Sequence, residues 1–209
     1  MRIDVYYDLL CPFCFLAKRS LDRARQRVPG SAVEVHHYPF MLYPDLPRGA
    51  HHFRQAFTDK YGEAARVPMW DAVIARGAAV GINFCFYDIE YGFHSITPHR
   101  LVHRAKQVGQ ESAVLDDLYS AFFEHGRYLG DPALLAEIGA AHGLDPMATK
   151  AYLDSDEDEA LISQQSAAAR TDPGVTGMPF HLVDGQPFKP EATGPEAFIA
   201  LLRVAAAPA

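Results

Sequence analysis

Two cysteines separated by two residues carry the clearest chemical signal in the sequence. Cys11 and Cys14 enclose Pro12-Phe13, after a segment rich in Ile, Val and Tyr and before a segment with apolar residues at helical spacing. The first N–H groups of a helix lack intrahelical partners and, together with the helix dipole, favour a negative charge. A thiolate at Cys11 is therefore favoured, and Cys14, one turn further on, is close enough to form a disulfide with it.

The same pair could instead be half of a structural zinc site. Zinc would need two more ligands, which the third cysteine, Cys85, and a histidine could supply. Cys85 lies between Phe84 and Phe86, however, a setting typical of a buried small hydrophobe. His99 and His103 are four residues apart, but the segment between them lacks the glutamate of the metalloprotease motif. We therefore predict a redox role for the pair and no metal site.

A carboxylate lies three residues before the first cysteine. Asp8 follows the predicted strand and could relay a proton to or from Cys14 while a mixed disulfide is resolved. The same residue could also be a polar side chain that only closes the strand. The sequence leaves both roles open.

Charge and composition exclude several classes of partner. The 209 residues carry a net charge of −7, which gives no electrostatic reason to expect nucleic acid or an anionic membrane. No apolar run approaches the roughly 20 residues of a membrane span, and no secretory leader precedes the first predicted strand. Three cysteines are too few for a disulfide scaffold. We therefore predict a cytoplasmic protein, whose oligomeric state the sequence leaves open.

The elements around the cysteines begin with a strand, a helix and a second strand. Arg2–Tyr7 and residues 33–38 are rich in β-branched and aromatic residues or alternate in polarity, which predicts two strands on either side of the helix. A strand, a helix and a strand in that order favour parallel pairing of the two strands.

Strand signals return near the C-terminus. Residues 178–183 and 186–189 predict two strands joined by Asp184-Gly185, a strong hairpin turn. Pro187 cannot donate to a strand ladder, so the last strand should lie at the edge of the sheet. A final helix is predicted after Gly194-Pro195.

A long helical block separates the two groups of strands. Its first predicted helix starts at His51, and Asp131-Pro132 and Asp145-Pro146 each open a later one. Without this block the order is that of a thioredoxin core, so we predict an α/β protein with a thioredoxin fold and a large all-helical insertion. The predicted core comprises residues 1–50 and 171–209, and the inserted helical subdomain comprises residues 51–170.

Four motifs resemble the DsbA-like thiol–disulfide oxidoreductases and, within them, the cytoplasmic FrnE-like group. The resemblance covers nearly the whole chain, and its most specific parts surround the two cysteines and precede the predicted hairpin. The motifs are Tyr7-Asp8 with Cys11-Pro12-Phe13-Cys14, Tyr38-Pro39-Phe40 with residues 42–47, Thr97-Pro98-His99-Arg100-Leu101, and residues 174–180. The resemblance implies a thioredoxin fold with a helical insert and a redox-active disulfide between the two cysteines.

The family pattern also assigns a role to the loop before the hairpin. It implies a cis peptide bond before Pro179, which would lie beside the cysteine pair and has no N–H to compete for the sulfurs. The preceding backbone, Gly177-Met178, could pair edge-on with an extended peptide or with glutathione. Valine or threonine is commoner than methionine before this proline. The residues we predict to bind substrate are Pro12, Phe13, Gly177, Met178 and Pro179.

The leading functional hypothesis is a thiol–disulfide oxidoreductase that works through a mixed disulfide. Cys11 exchanges with a thiol- or disulfide-containing protein or small molecule, and Cys14 resolves the intermediate. No cofactor beyond the Cys11–Cys14 disulfide is expected, and glutathione is a further candidate co-substrate. Pro12-Phe13 contains no histidine and does not decide the direction of electron flow.

The alternative on the same fold is a glutathione-dependent isomerase or transferase of aromatic or polyketide metabolism. Such enzymes are similar in architecture and include the hydroxychromene-carboxylate isomerases and the kappa-class glutathione transferases. They typically place serine where Cys11 stands, so that glutathione provides the reactive sulfur. Cysteine at both positions favours redox chemistry here.

Overall fold

The computed structural model describes residues 1–172, 174–190 and 194–206. The strands are β1 Arg2–Tyr7, β2 Glu34–Pro39, β3 His51–His52, β4 Tyr91–Gly92, β5 Phe180–Val183 and β6 Gln186–Phe188. The helices are α1 Pro12–Arg27, α2 Phe53–Tyr61, α3 Glu63–Ala79, α4 Ile96–Lys106, α5 Glu111–Phe123, α6 Pro132–Ala141, α7 Pro146–Asp154, α8 Glu159–Ala168 and α9 Glu196–Ala206. Parts of the predicted core segment 171–209, namely residues 173, 191–193 and 207–209, lie outside the described residues.

The central sheet has the strand order β2-β1-β5-β6. β1 pairs with β2 in parallel and with β5 in antiparallel orientation, while β5 and β6 form an antiparallel hairpin. The predicted parallel pairing of the first two strands is therefore confirmed. β6 lies at an edge, as the missing N–H of Pro187 requires.

Helices cover both faces of this sheet because alternate side chains of β1 point in opposite directions. Ile3 and Val5 share a buried cluster with Leu21 of α1 and with Phe198 and Leu202 of α9. On the other face, a smaller cluster forms from Phe40, Ala169 and Val175, with Tyr6 packed against it. The result is an α/β thioredoxin-like fold with a helical insertion between β2 and β5.

The helical block packs directly against the start of α1. Phe15 stacks on Tyr119 of α5, with ring centroids 5.1 Å apart, and both belong to the largest buried cluster. The predicted caps also form, since Asp131 accepts a hydrogen bond from the Ala133 N–H and Asp145 from the Ala148 N–H. None of the helices in the described ranges is both long and apolar enough to cross a membrane.

One predicted helix start is wrong. His51 and His52 form the short strand β3, which pairs with Tyr91-Gly92, and the helix begins only at Phe53. Tertiary pairing overrides the local helical preference there, because the backbone groups of His51 and His52 find partners on a strand about 40 residues away in the sequence.

Candidate active site

Local chain geometry places Cys11 at the start of α1. β1 ends at Tyr7, and the following turn is closed by a hydrogen bond from the Cys11 N–H to the Asp8 carbonyl at 3.1 Å. Cys11 is the extended N-cap residue of α1, and Pro12 suits the first turn because its missing N–H would have had no partner there. The Cys14 N–H then donates to the Cys11 carbonyl at 3.0 Å, so that the second cysteine lies one turn along the helix.

The two cysteines are free thiols in different surroundings. Both are buried, but Cys11 lines a cavity and Cys14 is not among its lining residues. Burial raises the pKa of the Cys14 thiol well above its usual value, and the hydrogen bond and charge of Cys11 raise it further. Cys14 therefore keeps its proton at neutral pH until a base removes it.

The carboxylate of Asp8 is completely buried and joins two segments of the site. One oxygen accepts from the Leu42 N–H at 2.6 Å, in the loop after β2, and the other from the Leu10 N–H at 3.3 Å. These hydrogen bonds tie the loop after β2 to the turn before α1. Its negative charge also contributes to the raised pKa of Cys14, behind burial and Cys11.

His99 is a neighbour of this carboxylate that the sequence did not identify. Its Nε2 lies 3.4 Å from an oxygen of Asp8, both side chains are fully buried, and the Tyr7 ring is 5.0 Å away. Neither ring nitrogen has a hydrogen-bond partner in the part of the chain that the structure describes. His103 faces Asp158 instead, at 3.7 Å, so the two histidines do not converge. The sequence signals for His99 were its spacing from His103 and its place in the Thr97–Leu101 motif, and neither indicated a contact with Asp8.

Two buried tyrosines complete the surroundings of the pair. The Tyr119 hydroxyl donates to the Asp8 carbonyl at 3.1 Å. Burial raises the pKa of Tyr119 well above its usual value, and the charges of Cys14 and Cys11 add to it. Burial likewise raises the pKa of Tyr7, followed by the charge of Glu111. Both phenols therefore remain protonated. Neither tyrosine was predicted as a site residue, because an isolated tyrosine has no distinctive spacing in the sequence.

The loop before β5 returns to the same end of the sheet. The Met178–Pro179 peptide bond is cis, and Phe180 of β5 pairs with Tyr6 of β1. Since β5 runs antiparallel to β1, its first residues lie where β1 leads into Cys11. Met178 lines the same cavity as Cys11 and packs against the largest buried cluster. Gly177 is exposed and Pro179 half-buried on either side of it.

The cavity beside Cys11 has a volume of about 540 Å³. Pro12 and Phe13 line it from the cysteine side, Leu42 and Met178 from the loops, and α2 and α3 supply most of the remaining wall. A cavity of this size and apolar character is typical of small-molecule sites. Cys85 is half-buried and is not among the lining residues, and burial raises its pKa.

Fold and site together define a class of protein. The chain belongs to the DSBA-like thioredoxin domain family, which matches residues 2–203. It is 28% identical to the probable DsbA oxidoreductase SCO1869 from Streptomyces coelicolor, with a TM-score of 0.83 over 98% of this chain and 89% of that one.

Two further proteins are similar to this chain. The fold is similar to that of the cytosolic disulfide reductase DsbM from Pseudomonas aeruginosa, solved with GSH, with a TM-score of 0.71, 21% identity and 98% coverage of each chain. The uncharacterized protein YwbO of Bacillus subtilis is 25% identical over 206 residues, which cover 95% of this chain and 94% of YwbO. Family membership supports an oxidoreductase or isomerase role.

Proposed function

We propose that the protein is a thiol–disulfide oxidoreductase whose reactive sulfur is Cys11. The observation that carries this proposal is the asymmetry of the pair: Cys11 lines the cavity, whereas Cys14 lies behind it with a raised pKa. An incoming substrate therefore meets Cys11, and Cys14 remains a protonated thiol until the mixed disulfide has formed.

The reaction balances without a further cofactor. The Cys11 thiolate attacks one sulfur of a substrate disulfide, forms a mixed disulfide and releases the first substrate thiolate. Cys14 then loses its proton and attacks the Cys11 sulfur, which releases the second thiolate and leaves a Cys11–Cys14 disulfide. Two electrons pass from the protein dithiol to the substrate, and the same steps in reverse oxidise a substrate dithiol.

We further propose that Asp8 accepts the proton of Cys14 during resolution. Its carboxylate is held in place by two backbone N–H groups and acts electrostatically on Cys14. A positioned carboxylate of this kind is a suitable general base. His99, 3.4 Å from one Asp8 oxygen, is the neighbour to which the proton could pass next.

Pro12, Phe13, Gly177, Met178 and Pro179 form the proposed substrate contacts. Pro12, Phe13 and Met178 line the cavity, which supports this role for them. Glutathione is the proposed co-substrate and the cytoplasm the proposed location, by analogy with the cytosolic reductase DsbM, whose structure contains GSH. At 21% identity that analogy rests on the fold alone.

Trapping the intermediate tests the assignment of the two sulfurs. Reduced wild type, Cys11→Ser, Cys14→Ser and, as a matched control, Cys85→Ser are mixed with oxidised glutathione and analysed by mass spectrometry, and each is assayed for insulin reduction. We expect a stable glutathionyl adduct only in Cys14→Ser, loss of insulin reduction in both pair variants, and wild-type behaviour in Cys85→Ser. Insulin reduction that survives Cys11→Ser would overturn the proposal.

A glutathione-dependent isomerase is the second candidate, favoured by the aromatic cavity next to Cys11. In that reaction glutathione, not the protein, supplies the sulfur. Isomerase activity towards an aromatic carboxylate should therefore persist in a variant that lacks both Cys11 and Cys14. Activity that requires glutathione and survives this double substitution would favour the isomerase over the oxidoreductase.

A further inference from the structure

The wall of the cavity is built from aromatic rings that support one another. Phe53 stacks on Trp70 at 5.7 Å between ring centroids, and Trp70 stacks on Phe86 at 5.6 Å. Trp70 is only 2% exposed, so its ring is held by its neighbours before any ligand arrives. A preformed wall of this kind suits a flat apolar ligand, because aromatic rings gain from stacked and edge-to-face contacts.

The polar part of the cavity is positively charged. Lys60 and Arg76 line it, and its lining contains no aspartate or glutamate. The Lys60 ammonium donates to the Tyr43 hydroxyl at 2.9 Å. The Arg76 guanidinium lies 5.9 Å from the ring centroid of Phe13, the residue that precedes Cys14 in the sequence. Neither cation forms an ion pair with a carboxylate of the described residues.

This local charge runs against that of the whole chain. The net charge is −7, whereas the cavity lining carries two cations and no carboxylate. Two cations without carboxylate partners, in the cavity that Cys11 also lines, therefore favour an anionic ligand by charge complementarity. The volume of about 540 Å³ fits a small molecule of one or two rings.

We propose that this cavity selects disulfides of small aromatic molecules that carry an anionic group, with Lys60 and Arg76 binding the anion. The inference rests on the proposed redox function and names the substrate class of the same site. The Cys11 thiolate attacks the aromatic disulfide and expels one aryl thiolate. Cys14 then displaces the second, so that one disulfide is reduced to two aryl thiols while the protein dithiol becomes a disulfide.

A set of simple disulfides tests the substrate class. In a Cys85→Ser background, the reduced protein is mixed separately with four disulfides. Two are aromatic: bis(carboxy-nitrophenyl) disulfide is anionic and dipyridyl disulfide is neutral. Two are aliphatic: dithiodipropionate is anionic and cystamine is cationic. Each second-order rate is divided by that of free dithiothreitol with the same disulfide, which removes differences in intrinsic reactivity. We expect the largest normalised rate with the aromatic anion.

Removal of the two cations tests the residue assignment. Lys60→Gln and Arg76→Gln should each lower the rate with the aromatic anion about fivefold, the effect of roughly one close charge contact near water. The rates with the neutral disulfide should stay unchanged, which also shows that the variants are folded. Arg25→Gln, which removes an exposed cation of α1 outside the cavity lining, is the matched control for net charge and should have no effect.

Salt provides an independent measurement. The preference of the wild type for the aromatic anion should weaken as ionic strength rises, since screening acts on exposed charges. Two results would overturn the inference while the redox function stood. One is that Lys60→Gln and Arg76→Gln lower the rates with anionic and neutral disulfides equally. The other is that Arg25→Gln lowers the rate with the aromatic anion as much as Arg76→Gln does. A wild type that reduces insulin but shows no preference for the aromatic anion would overturn the inference as well. A wild type that reduces neither insulin nor any of the four disulfides contradicts the proposed function itself.

Discussion

Replacement of Asp8 by asparagine separates the two roles open to this buried carboxylate. Its two oxygens accept backbone hydrogen bonds from different segments, Leu42 at 2.6 Å and Leu10 at 3.3 Å. Asparagine has only one side-chain oxygen, so one of these buried N–H groups would face an NH2 group. Hydrogen bonds to charged groups contribute roughly 1.5–3 kcal/mol, and we expect the free energy of unfolding to fall by about that amount.

The same substitution removes a negative charge beside Cys14. Burial is the main cause of the raised pKa of Cys14, and the charge of Asp8 adds to it. Loss of that charge alone would lower the pKa of Cys14 and speed resolution of the mixed disulfide at neutral pH. If Asp8 accepts the Cys14 proton, as we propose, resolution should instead slow by about 10²–10⁴-fold, the usual contribution of general base catalysis.

Two measurements on Asp8→Asn decide between these outcomes. Quenched-flow release of the second substrate thiol, followed against pH, gives the rate of resolution, and urea denaturation gives the free energy of unfolding. Asp45→Asn, the same chemical change at an exposed aspartate, is the control. Resolution that is unchanged or faster in Asp8→Asn refutes the proton relay, and an unchanged free energy of unfolding refutes the hydrogen-bond argument.

Three further predictions concern other parts of the chain. Burial lowers the pKa of His181 to about 4, and the charge of His37 lowers it further. Below about pH 6.5 the unfolded state therefore binds more protons than the folded state, and we expect about 2 kcal/mol of stability to be lost between pH 7 and pH 5. His181→Phe should reduce that loss, as measured by urea denaturation at the two pH values. An equal loss in His181→Phe would show that other groups cause it. Asp145→Ala removes an observed helix cap and should cost about 1 kcal/mol, whereas Asp45→Ala should cost nothing measurable by the same method. Cys85 should react with iodoacetamide more slowly than Cys11, since Cys11 lines the cavity, Cys85 does not, and burial raises the pKa of Cys85; peptide mapping that finds Cys85 alkylated first would contradict this.

Local sequence patterns predicted most of the elements that position the site. The strand before Cys11 and the helix after it depend on residue type, spacing and the first-turn proline, all of which act within a few residues. The caps at Asp131 and Asp145 were predictable for the same reason, since a cap side chain bonds to an N–H two or three residues away. The start of a helix at His51 was wrong because β3 pairs with a strand remote in sequence.

The partners of the cysteine pair required the tertiary structure. His99 lies beside Asp8 only because α4 packs its buried face towards the end of β1, and no spacing in the sequence links residues 91 positions apart. The same holds for the Leu42 N–H that binds Asp8 and for the hydroxyl of Tyr119. These contacts come from packing between elements, to which local propensity contributes nothing.

The sequence by itself determined the chemistry available to this protein, two cysteines one helical turn apart at a strand-to-helix junction. Its place at the helix start also assigned the attacking role to Cys11, and the tertiary structure decided how the two sulfurs differ in burial and access. Burial in the shared core raises the pKa of Cys14, while Cys11 lines a cavity whose aromatic and cationic wall comes mostly from α2 and α3. The physical reason is that desolvation and access to solvent depend on every neighbour in space, whereas helix and strand formation depend mainly on neighbours in the chain.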